Sequence, residues 1–492
     1  MKVRSVKTNY ILNMIRLSSG ILFGLITMPY ITRVLGPDIL GKIEYVNSIV
    51  SYFVLLSSLG IPIYGIKQIA KVRDNSSELS KVICELTIIL VLTSLMAYII
   101  LFCFISFSSS LVTYKDLLVI MSSMILLTNI GMEWLYQGIE DQFYITIRTL
   151  IIRIISIILL FSFVKSSDDY LIYVVITLIN LVGGNLLNLL RARKYVNLKD
   201  INFRQLNIQR HIRPALAMFI ATISVSIYLQ IDSFLLGYLT EDKYVGYYSI
   251  ANKLIRFAIV LITTVGVVLL PRLTNLWEND KEQYYIILAK AFNILILLAL
   301  PSSIYIYIFS NPIIGIMAGK YYQPAILCLK ILSPLCILVA VAYFAAFLVL
   351  YVQGKEKVYT YIVSFGSAFS VLLNFVLIPK YFHNGAAVTQ VLVELIGCIL
   401  LTVYIYKNNL IQAKGKAIID FNLVKVLGAN LFLLIVFNIF AVQTFSIYQF
   451  LCFSIFFVIL YFVTLYILKE NFLYNFSNSL YNRVFKKQKY IT

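Results

Sequence analysis

Histidine is almost missing from this chain: 492 residues hold only His211 and His383, each at the end of an apolar stretch. No His-x-x-x-His pair, complete phosphate-binding loop or Gly-x-Ser-x-Gly turn occurs. The familiar zinc-hydrolase, nucleotide-hydrolase and serine-hydrolase equipment is therefore lacking, and no metal, cofactor or catalytic residue is expected. Acidic side chains are scarce too, 22 against 41 lysines and arginines. The pairs Asp168-Asp169 and Glu241-Asp242 lie in short polar turns with no further ligands nearby, and read as solvated corners. The six cysteines show no paired spacing and read as small core residues, which argues against a disulfide or zinc framework. Charge of any sign is thin. Charged residues make up 13% of the chain, against about 25% in soluble globular proteins.

Apolar sequence fills the space. Hydrophobic residues reach 61% and the mean hydropathy is +0.89, the composition of an integral membrane protein. The apolar runs are long and unbroken, unlike the short alternating segments of a β-barrel. They predict an all-α, polytopic fold of about fourteen transmembrane helices, over residues 9–31, 42–64, 82–108, 116–138, 142–164, 169–190, 214–237, 244–270, 284–309, 324–352, 358–378, 385–406, 422–442 and 445–468. The basic-then-apolar N-terminus imitates a signal peptide, but Arg16 interrupts the run and no small-x-small site follows, so it counts as the first span. Residues 310–323, with Pro312, Gly315 and Gly319, are expected to form a loop or re-entrant turn.

The net charge of +19 would suggest nucleic acid in a soluble chain, but cytoplasmic loops of membrane proteins collect Lys and Arg. Alternate loops are rich in them, notably Arg191 to Arg213 and the C-terminal tail, while the opposite loops hold few. Both termini are accordingly expected in the cytoplasm, with no nucleic-acid partner. The 191–213 stretch follows six spans and is taken as the hinge between halves. Residues 1–200 then form an N-terminal lobe of spans 1–6 and 201–410 a C-terminal lobe of spans 7–12. Spans 13–14 and the tail, 411–492, are appended. Two motifs recur in order in both halves. Leu35-Gly36, Gly41 and Asn47 match Leu236-Gly237, Gly246 and Asn252, and the Gln-Gly-x-Glu of 137–140 matches that of 353–356. Six spans per half imply parallel repeats about an axis along the membrane normal.

Charges at membrane depth carry the functional signal. Placing one at the bilayer centre costs about 2.5–3.5 kcal/mol on insertion scales, so such residues usually face a bundle interior or a watery cavity. Lys253 and Arg256 lie three residues apart, on one face of the helix from Tyr244 to Pro271. Arg153 is near mid-depth, Arg16 and Arg148 lie deeper toward the cytoplasm, and Lys330 sits toward an outer end. In the first span, Asn9, Asn13, Arg16, Gly20, Gly24 and Thr27 make one polar, small-residue face. Two carboxylates, Asp232 (aligned with Ser224 and Tyr228) and Glu394, are candidates for proton or sodium coupling or for counter-ions. Cations outnumber anions, which calls for a solvated cavity or an anionic ligand, and phosphate or carboxylate suits arginine forks.

The stretch Ile26 to Asn75 resembles the opening of the Wzx-type polysaccharide flippases, within the multidrug/oligosaccharidyl-lipid/polysaccharide exporter superfamily. The matching residues are Arg33 to Pro37, Gly41, Gly60-Ile61-Pro62 and Gly65, then Glu133-Trp134, Gln137-Gly138 with Glu140, and Asp232 with Leu236-Gly237 and Gly246. The resemblance implies a flippase that carries an undecaprenyl-diphosphate-linked oligosaccharide, such as an O-antigen unit of lipopolysaccharide, across the bacterial inner membrane. It also implies two six-helix lobes around a cationic cavity, alternating access and an ion gradient as driving force. Membrane lipids, a proton or sodium ion and a polysaccharide polymerase would be its partners. Arg16, Arg148, Arg153, Lys253, Arg256 and Lys330 would face the diphosphate or acidic sugar. Two other functions compete. A drug/cation antiporter of the same superfamily would favour acidic residues at mid-depth. A membrane glycosyltransferase or polymerase would need a larger extramembrane loop or an acidic metal motif.

Overall fold

The computed structural model describes residues 6–196, 206–411, 421–439, 446–471 and 474. The middle of the hinge segment, Lys414, Lys416 and the C-terminal tail lie outside the described residues, as do the side chains of Ser224 and Tyr228. Helix accounts for nearly all of the described chain, and no strand occurs in it. The chain divides into two compact units, Met1–Ser249 and Ile250–Thr492.

The first unit contains α1 (Val6–Ser58), α2 (Ile61–Val72), α3 (Ser76–Phe107), α4 (Ser109–Val112), α5 (Lys115–Ile130), α6 (Glu133–Gly138), α7 (Gln142–Phe163), α8 (Tyr170–Leu178), α9 (Gly184–Ala192), α10 (Gln209–Leu239) and the start of α11 (Asp242–Asn279). The second holds the rest of α11, then α12 (Lys281–Ile308), α13 (Ser310–Met317), α14 (Ala325–Leu332), α15 (Leu335–Tyr343), α16 (Glu356–Lys407), α17 (Phe421–Ile439) and α18 (Ile447–Ile467). Ten helical stretches among the described residues are long and apolar enough to cross a bilayer, and two of them, Ile11–Val72 and Glu356–Lys407, are long enough to cross twice. Counting those two twice and adding α10 and the shorter apolar α17 gives fourteen helical segments of crossing character among the described residues, in an all-α, polytopic fold.

Local chemistry sets the breaks. Gly36 (φ 71°) interrupts α1, because the following Pro37 disfavours helical backbone before it and glycine alone adopts that angle without strain. The second crossing thus runs 37–58 rather than 42–64, and Gly60, again left-handed, starts α2. In α16 the break falls at Phe382 (φ 51°), three residues after Pro379. Asn75 caps α3 by accepting from the backbone of Ser77 and Glu78, and Asp280 caps α12 through Gln283. Residues 310–323 differ from expectation: they form α13 and a short 3-10 turn, Lys320–Tyr322, rather than an open loop. Leu92, Leu95, Met96 and Ile99 on α3 are 57–63% exposed, which suits a face in contact with lipid chains.

Glycines that recur in the sequence repeat meet in space. A Cβ on Gly41 would lie 1.7 Å from the Asp242 carbonyl oxygen and 2.9 Å from the Gly246 nitrogen. One on Gly246 would lie 2.2 Å from the Pro37 carbonyl oxygen, and one on Gly237 would lie 2.1 Å from the Tyr45 ring. The second part of α1 and the α10–α11 corner therefore touch backbone to backbone, as small residues allow in membrane helices. The fully buried Glu85 of α3 accepts from Arg210 (2.5 Å), His211 (2.8 Å) and the Asn207 backbone (2.6 Å), while Tyr64 bonds the other His211 nitrogen. Burial holds the His211 ring below its ordinary pKa. This network ties the start of α10 to α2 and α3. The Gln-Gly-x-Glu turn of the first half is also tied down, by Glu140 on Arg73 (2.6 Å) and Asp141 on Arg191 (2.6 Å).

In the second unit, α17 and α18 are anchored on α12 by an aromatic cluster of Tyr305, Phe309, Phe437 and Phe457, and Tyr461 donates to the Leu297 carbonyl at 2.7 Å. The cysteines are less uniformly buried than expected: Cys328, Cys336 and Cys398 are core residues, whereas Cys103 and Cys452 are exposed on their helices.

Candidate anion-binding site

Three of the arginines singled out in the sequence share one cavity. Arg16 of α1 and Arg148 and Arg153 of α7 line a space of about 220 Å³ together with Glu133, Asn180, Gly184 and Asn185. All belong to the first unit.

Each wall has a local cause. Residues Ile179–Gly183 form a wide π-helical turn between α8 and α9, an insertion often found at functional sites. It brings Asn180 and Asn185 to the same cavity. Gly131 ends α5, and Met132 takes a left-handed backbone, so the helix restarts at Glu133. Glycines leave room for guanidinium groups: a Cβ on Gly20 would stand 3.0 Å from Arg153, and one on Gly184 would stand 2.9 Å from Arg148. Part of the polar face read on the first span is therefore the seat of an arginine from another helix.

The polar contacts are lopsided. Arg16 donates to Glu133 at 2.7 Å and to Asn13 at 2.9 Å. Arg148, buried, donates to the other Glu133 oxygen at 3.2 Å and to the Gly184 carbonyl at 3.3 Å. Arg153 donates to the Arg16 carbonyl at 2.6 Å and to the Ser19 hydroxyl, and no salt bridge reaches it among the described residues. One carboxylate thus faces three cations. Arg16 Nε and Arg148 Nε are buried donors with no hydrogen-bond partner among the described residues, a state that costs stability unless a ligand or water completes it. Chemically, the cavity can offer several forked N–H groups to a multiply charged oxyanion.

Other candidates lie elsewhere. Asp232 is buried between α10 and α11 and accepts from Tyr248 at 2.8 Å; it does not join the arginine cavity. In the second unit, Lys253 is exposed on α11, and Arg256, half-buried one turn on, donates to Asn252 at 3.3 Å. Lys330 of α14 lies 5.7 Å from the Tyr307 ring, and Glu394 is half-buried on α16. The sequence reading missed Glu133 as a site residue. In the sequence the Glu133-Trp134 pair enters only through the family resemblance. The available signal was a charge inside an apolar run: in the expected span 116–138, Glu133 is the only charged residue after Asp116.

Comparison with known proteins agrees with this architecture. The family model described as polysaccharide biosynthesis protein matches residues 6–277, and the MatE model matches residues 217–376. The chain is 24% identical over 413 residues to the protein named "Putative O-antigen transporter" in Escherichia coli strain K12, covering 83% of this chain and 98% of that one. Among solved structures, lipid II flippase MurJ in an inward closed conformation superposes with a TM-score of 0.71 at 17% identity, covering 93% of this chain and 98% of that one. An inward-facing multidrug resistance transporter of the MATE family, from the MOP superfamily, superposes at 0.62 with 14% identity, covering 80% and 96%. The structural likenesses show a fold shared with these multi-pass membrane proteins. With a model match over more than half of its length, the chain belongs to the polysaccharide biosynthesis protein family.

Proposed function

We propose that this protein is a flippase that moves an undecaprenyl-diphosphate-linked oligosaccharide from the cytoplasmic to the outer leaflet of the bacterial inner membrane. The observation that carries the reading is the excess of guanidinium groups in one cavity: Arg16, Arg148 and Arg153 against the single carboxylate of Glu133. Family membership, the relative named for O-antigen transport and the fold shared with a lipid II flippase support the same class.

A charged headgroup meets a prohibitive barrier in bare hydrocarbon, whereas a lined polar route replaces its lost hydration. The apolar tail need not enter, since it can stay in lipid while the head crosses. In this reading Arg16, Arg148 and Arg153 take the diphosphate. Lys253, Arg256 and Lys330 serve diphosphate or acidic sugar from the second half, and Asp232 and Glu394 serve proton or sodium coupling or act as counter-ions. The halves 1–200 and 201–410 alternate access, both termini are cytoplasmic, and a polysaccharide polymerase receives the product on the far side. The protein moves its cargo without altering its covalent structure.

Deleting the protein in its host is expected to remove surface polysaccharide while leaving drug susceptibility unchanged. Restoring it with Arg256→Ala is expected to return the protein to the membrane but not the polysaccharide, with partial recovery for Arg256→Lys. Changed drug susceptibility with intact polysaccharide would favour the antiporter. Full recovery by the Ala variant would remove Arg256 from the route.

A further inference from the structure

Glu133 is the only carboxylate among the residues lining the arginine cavity, and each of its oxygens is spent on a different arginine. Arg16 reaches Oε1 at 2.7 Å and Arg148 reaches Oε2 at 3.2 Å. Gln137 adds a third hydrogen bond to the carboxylate, on Oε1 at 3.2 Å. Two oxygens bridging two guanidinium groups are what a phosphate group would also present, so Glu133 occupies the donors that an oxyanion needs. It is held there by the left-handed turn at Met132 and the buried Trp134 and Leu135 that follow. Its own side chain, though, remains 35% exposed, open to displacement rather than sealed in a core.

We propose that Glu133 is a built-in competitor for the headgroup. In the unloaded cavity it holds Arg16 and Arg148, and it yields them when a diphosphate arrives. The inference rests on the reading of this cavity as a diphosphate site. Three guanidinium groups alone would carry +3; with Glu133 the lining carries +2. The lower figure matters because a transport site must bind strongly enough to load and weakly enough to unload. Arg153, which no salt bridge reaches among the described residues, stays available for first contact. Glu133 then sets the release step, and its removal acts in the direction opposite to removal of an arginine.

The test uses the purified full chain in nanodiscs, titrated with inorganic pyrophosphate and, separately, with undecaprenyl diphosphate placed in the disc. Glu133→Gln keeps the size of the side chain and loses its charge; Glu133→Ala is the second variant, and a thermal midpoint for each reports folding. Both variants are expected to bind either probe about tenfold tighter than the natural protein, the effect of about 1.4 kcal/mol. In proteoliposomes Glu133→Gln should show a lower KM together with a slower turnover. Arg153→Ala should lose binding. If Arg153→Ala loses binding while both Glu133 variants bind unchanged or more weakly, the competitor is refuted and the diphosphate site stands. If the natural protein binds neither probe, the site itself fails and the competitor with it. Tightening toward pyrophosphate without tightening toward the lipid would refute the role in handling a lipid headgroup.

Discussion

Arg153→Ala is expected to reduce transport about a hundredfold while leaving the protein folded and in the membrane, because truncating a charge that grips a desolvated ionic ligand costs about 2–5 kcal/mol. Among the described residues Arg153 has only neutral partners, the Arg16 carbonyl and the Ser19 hydroxyl, so no carboxylate among them is stranded by its loss. Arg148→Ala is a less clean experiment. It frees an oxygen of Glu133 and opens space beside Gly184, mixing a binding effect with a packing effect. Arg153→Lys keeps the charge but loses the fork, and intermediate transport is expected. Complementation of surface polysaccharide, normalised to membrane protein level, is the measurement. A near-normal value for the Ala variant would show that the headgroup does not depend on this arginine.

The second large effect concerns architecture. Gly41→Leu should unfold or mislocalise the protein. Even the first added carbon would fall 1.7 Å from the Asp242 carbonyl oxygen, which is backbone and cannot swing away. Overpacking usually costs about 1–3 kcal/mol when side chains can adjust, and more when they cannot. The matched control is Gly397→Ala on α16, where nothing lies within 4 Å of the new carbon. That change is expected to be neutral or to add about 0.5 kcal/mol, since alanine loses less entropy in a helix than glycine does. Thermal midpoints in detergent distinguish them: a large fall for Gly41→Leu and none for Gly397→Ala. Equal midpoints would mean that the α1 contact with the α10–α11 corner contributes little.

These two cases also show what was legible in sequence. Apolar run length fixed the crossings well, because the bilayer imposes one length on every helix. Boundaries move where backbone chemistry intervenes: Gly36-Pro37 shifts the second crossing, and Gly319 (φ 83°) leads from α13 into a 3-10 turn where a loop or re-entrant turn is expected. Arg16, Arg148 and Arg153 stood out because charge is rare at such depth. Their convergence did not, since nothing in one sequence says which helix faces meet. The pairing with Glu133 was hidden for a related reason. Its neighbours Met132 and Trp134 read as an ordinary apolar span end, and the left-handed backbone falls on Met132 rather than on a glycine that would announce it. Likewise Gly41 and Gly246 were visible as a repeat, yet their mutual contact needed coordinates. The Glu85–His211–Tyr64 network escaped notice because its members lie 147 residues apart at the extreme.

The most direct test is headgroup movement itself. Reconstituted into liposomes, the natural protein should carry a fluorescent undecaprenyl-diphosphate oligosaccharide between leaflets, and a chain with Arg16, Arg148 and Arg153 all changed to Ala should not. Movement by the triple variant at the natural rate would contradict the claim that these arginines line the path of the headgroup.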